Sequence, residues 1–258
     1  MVLKRIIPCL LLRDDGLVKT VKFKKSTYIG DPINAVKIFN EKEVDELVFL
    51  DIDATRDGKE PPYHVIEDIA TECFMPFCYG GGIKTIDQIR RIVASGAEKV
   101  AINSAAFLNP NLIKETSQIF GSSTIVVSID YKKNVFGKET VYINGGKKNT
   151  KKDPVSYAIE MESLGAGELF LNCIDKDGVM RGYDLEMLTK VADAVTLPVI
   201  ACGGAGNLND FDLALNKAGA SAAAAGSMFV FQGKKRGVLI SYPSPADIKD
   251  IIKQQPLR

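Results

Sequence analysis

Short, almost unbroken apolar runs recur along the chain: Arg5–Leu12, Glu46–Ile52, Met75–Tyr79, Lys99–Asn103, Thr124–Ile129, Glu168–Asn172, Pro198–Cys202 and Ala220–Ala225. Each reads as a strand buried on both faces, the setting of a parallel sheet covered by helices. Helical patterns with start signals fill the intervals. Asp31-Pro32, Asn109-Pro110, Asp153-Pro154 and Ser244-Pro245 each set a capping oxygen before a proline suited to the first helical position. Thr85 with Gln88 three residues on predicts a capping box ahead of the apolar face Ile86, Ile89 and Val93. Eight strands, each followed by a helix, in 258 residues predict α/β architecture in one (β/α)8 barrel, a single domain over 1–258.

An internal repeat sharpens this. Glu46-Leu47…Ile52-Asp53 recurs 122 positions later as Glu168-Leu169…Ile174-Asp175, and Pro76…Gly81-Gly82 recurs at the same offset as Pro198…Gly203-Gly204. Ser104 is echoed by Ser227 at an offset of 123. Two half-barrels, about 1–120 and 121–258, are therefore expected around a pseudo-twofold axis.

Composition excludes several function classes. Thirty-three Lys and Arg against 32 Asp and Glu leave a formal charge of +1, which gives no reason to expect nucleic acid or an anionic membrane as partner. No apolar run approaches the ~18 residues of a membrane span, and charge enters too early for a signal peptide, so a cytoplasmic protein is expected. Cys9, Cys73, Cys78, Cys173 and Cys202 form no CxxC pair and predict buried, reduced thiols with neither a disulfide framework nor a metal site. The single histidine, His64, reads as a solvated helix residue.

In such a barrel the chemistry lies at the C-terminal ends of the strands. Those ends carry Asp51, Gly80-Gly81-Gly82, Asn103-Ser104, Asp130, Asn172, Asp177-Gly178, Gly203-Gly204 and Gly226-Ser227. Glycine pairs let backbone amides approach an anion, so the repeat predicts two phosphate cradles on opposite sides of the mouth.

The segments KRIIPCL, GDP at 30–32, DELVFLDI, GGGI, KVAINSAA, IVVSID, GAGEL, DKDG, GYDLE and PVIACGGAG occur in order with matching spacing. In these the chain resembles the cyclase subunit of imidazole glycerol phosphate synthase over essentially its whole length. The resemblance implies a barrel that takes ammonia from a glutaminase docked on its N-terminal face. It joins the ammonia to a bisphosphorylated ribonucleotide, which is cleaved and cyclised without a cofactor. Carried over, phosphate-binding positions fall on Gly82, Asn103, Ser104, Gly178, Gly203, Gly204 and Ser227, with Asp51, Asp177 and Gly226 beside them and the loop lysine on Lys19. A gate of two acids and two bases falls on Arg5, Glu46, Lys99 and Glu168, below a passage lined by Cys9, Ala101, Ser128 and Ala224.

One departure bears on the reaction. The family pairs a first-strand carboxylate with a fifth-strand one as general acid and base; the fifth-strand member is Asp130, while the first-strand position is Leu11. Leucine transfers no proton, and losing one positioned acid–base group costs ~10²–10⁴ in rate. Asp53 and Val179 also stand where the family usually has Thr. These changes resemble the cyclase-like subunits encoded with surface-polysaccharide genes. That resemblance implies transfer of ammonia to an ATP-using amidotransferase that forms an acetamidino group on a nucleotide-linked sugar. The alternatives are an authentic histidine-pathway cyclase and a non-catalytic scaffold that activates the glutaminase.

Overall fold

The computed structural model describes residues 3–233 and 235–253. Eight parallel strands close into a ring: β1 (Arg5–Arg13), β2 (Leu47–Asp51), β3 (Phe77–Gly80), β4 (Lys99–Ile102), β5 (Ile125–Lys133), β6 (Glu168–Cys173), β7 (Val199–Cys202) and β8 (Ala222–Ala225). Each pairs with the next, and β8 returns to β1 with Arg5 opposite Ala222. Helices follow the strands around the outside, as the alternation of patterns predicts.

The strand period of two separates two hydrophobic layers. On β1, Ile6, Leu10 and Leu12 face outward into the large core beneath the helices, whereas Ile7, Cys9 and Leu11 face the lumen. Val48, Cys78, Ala101, Val126, Phe170, Ile200, Ala222 and Ala224 complete the inner layer. Burying side chains of this size stabilises by roughly 1.5–3 kcal/mol each for the larger ones. The double burial explains why these strands show no polar alternation.

Helix starts follow the predicted capping with one exception. Asp31 accepts from Asn34 N at 2.8 Å and Asp153 from Ser156 N at 2.9 Å, each before its proline. Thr85 and Gln88 make the reciprocal box at 3.2 and 3.1 Å. At Asn109-Pro110 the expectation fails: the helix is Asn111–Phe120, Pro110 is its cap residue, and Asn109 instead closes the short preceding helix Ser104–Leu108. Two helices meeting at one corner leave Asn109 the C-terminal end of the first.

Several strand limits also shift by one to four residues, most at β5, which runs on to Lys133. It does so because its upper half leaves the ring and forms an antiparallel hairpin with Glu139–Ile143, followed by Lys148–Asn149. Above β1, Gly16–Thr20 and Ser26–Gly30 form a similar hairpin, Leu11 pairing with Val18 and Arg13 with Gly16. Neither hairpin is apparent in the hydrophobic pattern. Both rise over the C-terminal mouth.

Among the described residues, no helix is long and apolar enough to cross a membrane. Cys9, Cys78 and Cys173 are buried, Cys73 and Cys202 are partly exposed, and all five are free thiols. His64 is exposed on its helix, 3.8 Å from Asp15.

Candidate functional site at the two ends of the barrel lumen

At the floor of the lumen, four charged side chains form a closed ring. Arg5 donates to both Glu46 and Glu168. Lys99 bridges the same two carboxylates from the other side, at 3.1 Å to Glu46 and 2.8 Å to Glu168. Strand alternation places all four inward at the first turn of the pleat. Burial opposes charge on Lys99, but Glu168 and Glu46 outweigh it and hold its pKa above the ordinary lysine value; the same two carboxylates raise Arg5. Both glutamates are buried, so the ring is a fixed set of compensating charges. The exposed apolar residues Leu3 and Phe74 lie on this N-terminal face.

At the opposite end, a cavity of about 360 Å³ opens between the strand ends. The predicted mouth residues come together here. Asp51, Gly82, Asn103 and Ser104 line it from β2 to β4, and Asp130 from β5. Asp177, Gly178, Gly203, Gly204, Gly226 and Ser227 line the other side, with Lys19 from the hairpin above. Leu11 lines it too, as an apolar wall. Ser104 and Ser227 begin the short helices Ser104–Leu108 and Ser227–Val230. The Ser104 hydroxyl donates to Asn103 Oδ1 at 3.2 Å and accepts from Asn144 N at 3.0 Å, which ties the β4 end to the turn that follows the hairpin strand Glu139–Ile143.

Asp130 is only 8% exposed. Burial pushes its carboxyl up to about 7, a nearby Asp177 adds to the rise, and a hydrogen bond from Asn172 opposes it. Asn172 Nδ2 donates to Asp130 Oδ1 at 3.3 Å and Asn103 Nδ2 to Oδ2 at 3.3 Å. A carboxyl that titrates near neutral pH can both take and give a proton, the requirement of a general acid–base group. Burial likewise raises Asp177, which accepts from Thr20 Oγ1 at 2.9 Å, and Asp51, which accepts from Asp53 N at 3.0 Å and Ala54 N at 2.9 Å.

The lysine expected on a loop sits on the hairpin strand Gly16–Thr20. Pairing with β1 turns Lys19 down into the mouth, where its ammonium donates to the Cys9 carbonyl and packs over Gly226. A side chain at Gly226 would occupy the place of that ammonium, so this glycine accommodates a close approach. Gly178 is required by backbone conformation as well: its φ is +68°, and a Cβ there would collide with the Thr20 carbonyl oxygen.

Three contacts at the mouth are not legible from residue type alone, although Asn172 itself is expected at a strand end. Arg13 and Arg56 converge on Asp53, with Arg13 Nε at 2.6 Å and Arg56 Nη1 at 3.0 Å. Asn172 faces Asp130, which its position two residues beyond the inward Phe170 on β6 could have indicated. Thr55 Oγ1 accepts from Gly82 N at 3.2 Å, occupying one amide of the first cradle.

A closed barrel with a charged floor and a polar mouth centred on a buried carboxyl defines a (β/α)8 protein of the class whose chemistry sits at the strand C-termini. A family model described as histidine biosynthesis protein matches residues 5–235. The chain is 53% identical over 243 residues to a Pseudomonas aeruginosa protein provisionally named imidazole glycerol phosphate synthase subunit hisF2, covering 94% of this chain and 97% of that one. It is 51% identical to a similarly provisional hisF3 of Vibrio vulnificus over 98% of both chains. To the imidazole glycerol phosphate synthase subunit HisF of Streptococcus mutans it is 44% identical over 89% of this chain and 91% of that one. The chain belongs to the histidine biosynthesis protein family and is a HisF-like synthase subunit.

Proposed function

We propose that this chain is the ammonia-accepting subunit of a glutamine amidotransferase pair. A glutaminase docks on the N-terminal face, around the ring and the exposed Leu3 and Phe74. Ammonia passes the ring, moves along the lumen past Cys9, Ala101, Ser128 and Ala224, and reacts beside Asp130 on a phosphorylated ligand held between the two glycine–serine cradles. The observation that carries this reading is one lumen with a compensated charge ring at one end and a neutral-titrating carboxyl at the other. Neutral ammonia crosses an apolar lining at far lower cost than ammonium, which would have to shed its water. The names of the relatives favour imidazole glycerol phosphate formation as the reaction. On that reading Asp130 shuttles the proton during amination and ring closure.

Leu11 favours a second reading, in which this barrel transfers ammonia to an acceptor held by another protein. The acetamidino-sugar pathway is one such setting, although none of the relatives' names mentions a sugar. An assay of the purified chain with ammonium salt and the bisphosphorylated ribonucleotide, with and without Leu11→Asp, separates the two. Turnover within a few-fold of an ordinary HisF removes the transfer reading. Turnover lower by ~10² or more, partly recovered by Leu11→Asp, supports it.

A further inference from the structure

The two hairpins over the mouth differ from the rest of the molecule in charge. Residues 16–30 and 131–152 hold eleven lysines and one glutamate, a formal charge of +10, against +1 for the whole chain. The remaining 221 residues therefore carry −9. Among the described residues, the only carboxylate partner within ion-pair distance of these lysines is Glu160, beside Lys152. Lys19, Lys24 and Lys147 turn toward the cavity, so a phosphorylated ligand accounts for them. Lys133 and Lys138 do not line it; they flank the tip of the second hairpin.

That tip carries Val135 and Phe136, 93% and 91% exposed. Its shape is nevertheless held by four hydrogen bonds. Asn134 N donates to Lys138 O at 2.8 Å and Gly137 N to Asn134 O at 2.9 Å. Asn134 Oδ1 accepts from Phe136 N at 2.9 Å and from Lys138 N at 3.1 Å. A fixed turn that presents two large apolar side chains to water between lysines has the composition of a protein contact: an apolar anchor in a charged rim.

We infer that the C-terminal rim is a second docking surface, on which the Val135–Phe136 tip inserts into an apolar pocket surrounded by acidic residues of the protein that consumes the ammonia. The inference rests on the transfer reading above. Ammonia released at an open mouth would be protonated and diluted in water, so the acceptor site must sit over the cavity. The +10 rim supplies the long-range attraction and orientation for an acidic partner.

The test replaces Phe136 by the photo-cross-linker p-benzoylphenylalanine in the full chain, produced in its own host with its glutaminase. Position 74 on the opposite face serves as the control. The expected result is a cross-link from 136 to a third protein through an acidic surface, weakened at least about tenfold by Lys133→Glu with Lys138→Glu. Added back in purified form, that protein brings the ratio of aminated product to glutamate near one with the wild-type barrel but not with Phe136→Ser. Cross-links from 74 with none from 136 overturn the docking surface, as does a cross-link from 136 only to the glutaminase or to a second copy of this chain. Ordinary cyclase turnover by the chain and its glutaminase alone instead overturns the transfer reading, a separate result.

Discussion

Leu11 and Asp130 face each other across the full width of the barrel mouth, because three strands lie between β1 and β5 in either direction around the ring. An acid at each of these positions could work on opposite ends of one ligand. On the proposed reaction, leucine on one side leaves Asp130 as the one carboxyl of that pair. Leu11→Asp is therefore expected to raise cyclase turnover by at least about tenfold while lowering stability by ~1–3 kcal/mol, since it puts a carboxyl among Cys9, Val18 and Leu50. Steady-state rates and urea unfolding of the same preparation check both parts. An unchanged rate would place the missing proton transfer on another group.

Asp130 also predicts a pH dependence. Its carboxyl is raised from 3.8 to about 7, so between those values the native state holds a proton that the unfolded chain has released. The group therefore costs stability increasingly as pH rises through that window, by up to ~4 kcal/mol above pH 7. Asp130→Asn is expected to leave unfolding nearly unchanged near pH 4 and to stabilise the protein at pH 8. Urea unfolding of the two proteins across that range makes the comparison; a stability difference that does not vary with pH would mean that Asp130 ionises freely.

Beyond the proposed gate, Lys99 also holds two buried carboxylates in the ring. Lys99→Ala leaves two buried glutamates with Arg5 as their only ring cation, and because Lys99 is itself partly exposed the expected loss is ~1–3 kcal/mol rather than the full cost of a buried pair. In the complete amidotransferase system, glutamine hydrolysis should continue while product per glutamate falls below the ammonium-driven reaction. A ratio that stays near one would identify the ring as a plug.

Phosphate should protect the fold. If the Gly82–Ser104 and Gly204–Ser227 cradles bind anions, inorganic phosphate at 100 times its Kd stabilises by ~2.7 kcal/mol per site. Ser227→Asp places a negative charge at the second cradle and should remove about half of that effect. Melting curves that do not respond to phosphate in either protein would make the glycine pairs turns without a ligand role.

The barrel itself was legible in the sequence, because doubly buried strands are uninterrupted apolar runs and caps are local events that adjacent residues decide. Thr85 and Gln88 need only each other. Arg5, Glu46, Lys99 and Glu168 were picked out by the family resemblance, and the repeat carried the glycine pairs with it. What the residues could not determine was which side chains meet once the ring closes. Lys19 reaches Cys9 and Gly226 only because a hairpin folds back along β1. Asn109 fails as a cap because a second helix ends where the sequence would start one. Asp130 titrates near neutrality through burial and through Asp177, 47 positions away, a distance in sequence that strand order and ring closure turn into proximity. Local pattern determines the elements, because propensity and capping act within a turn or two. Charge, pKa and contact at the mouth are long-range quantities, set by how eight strands are staggered around one lumen.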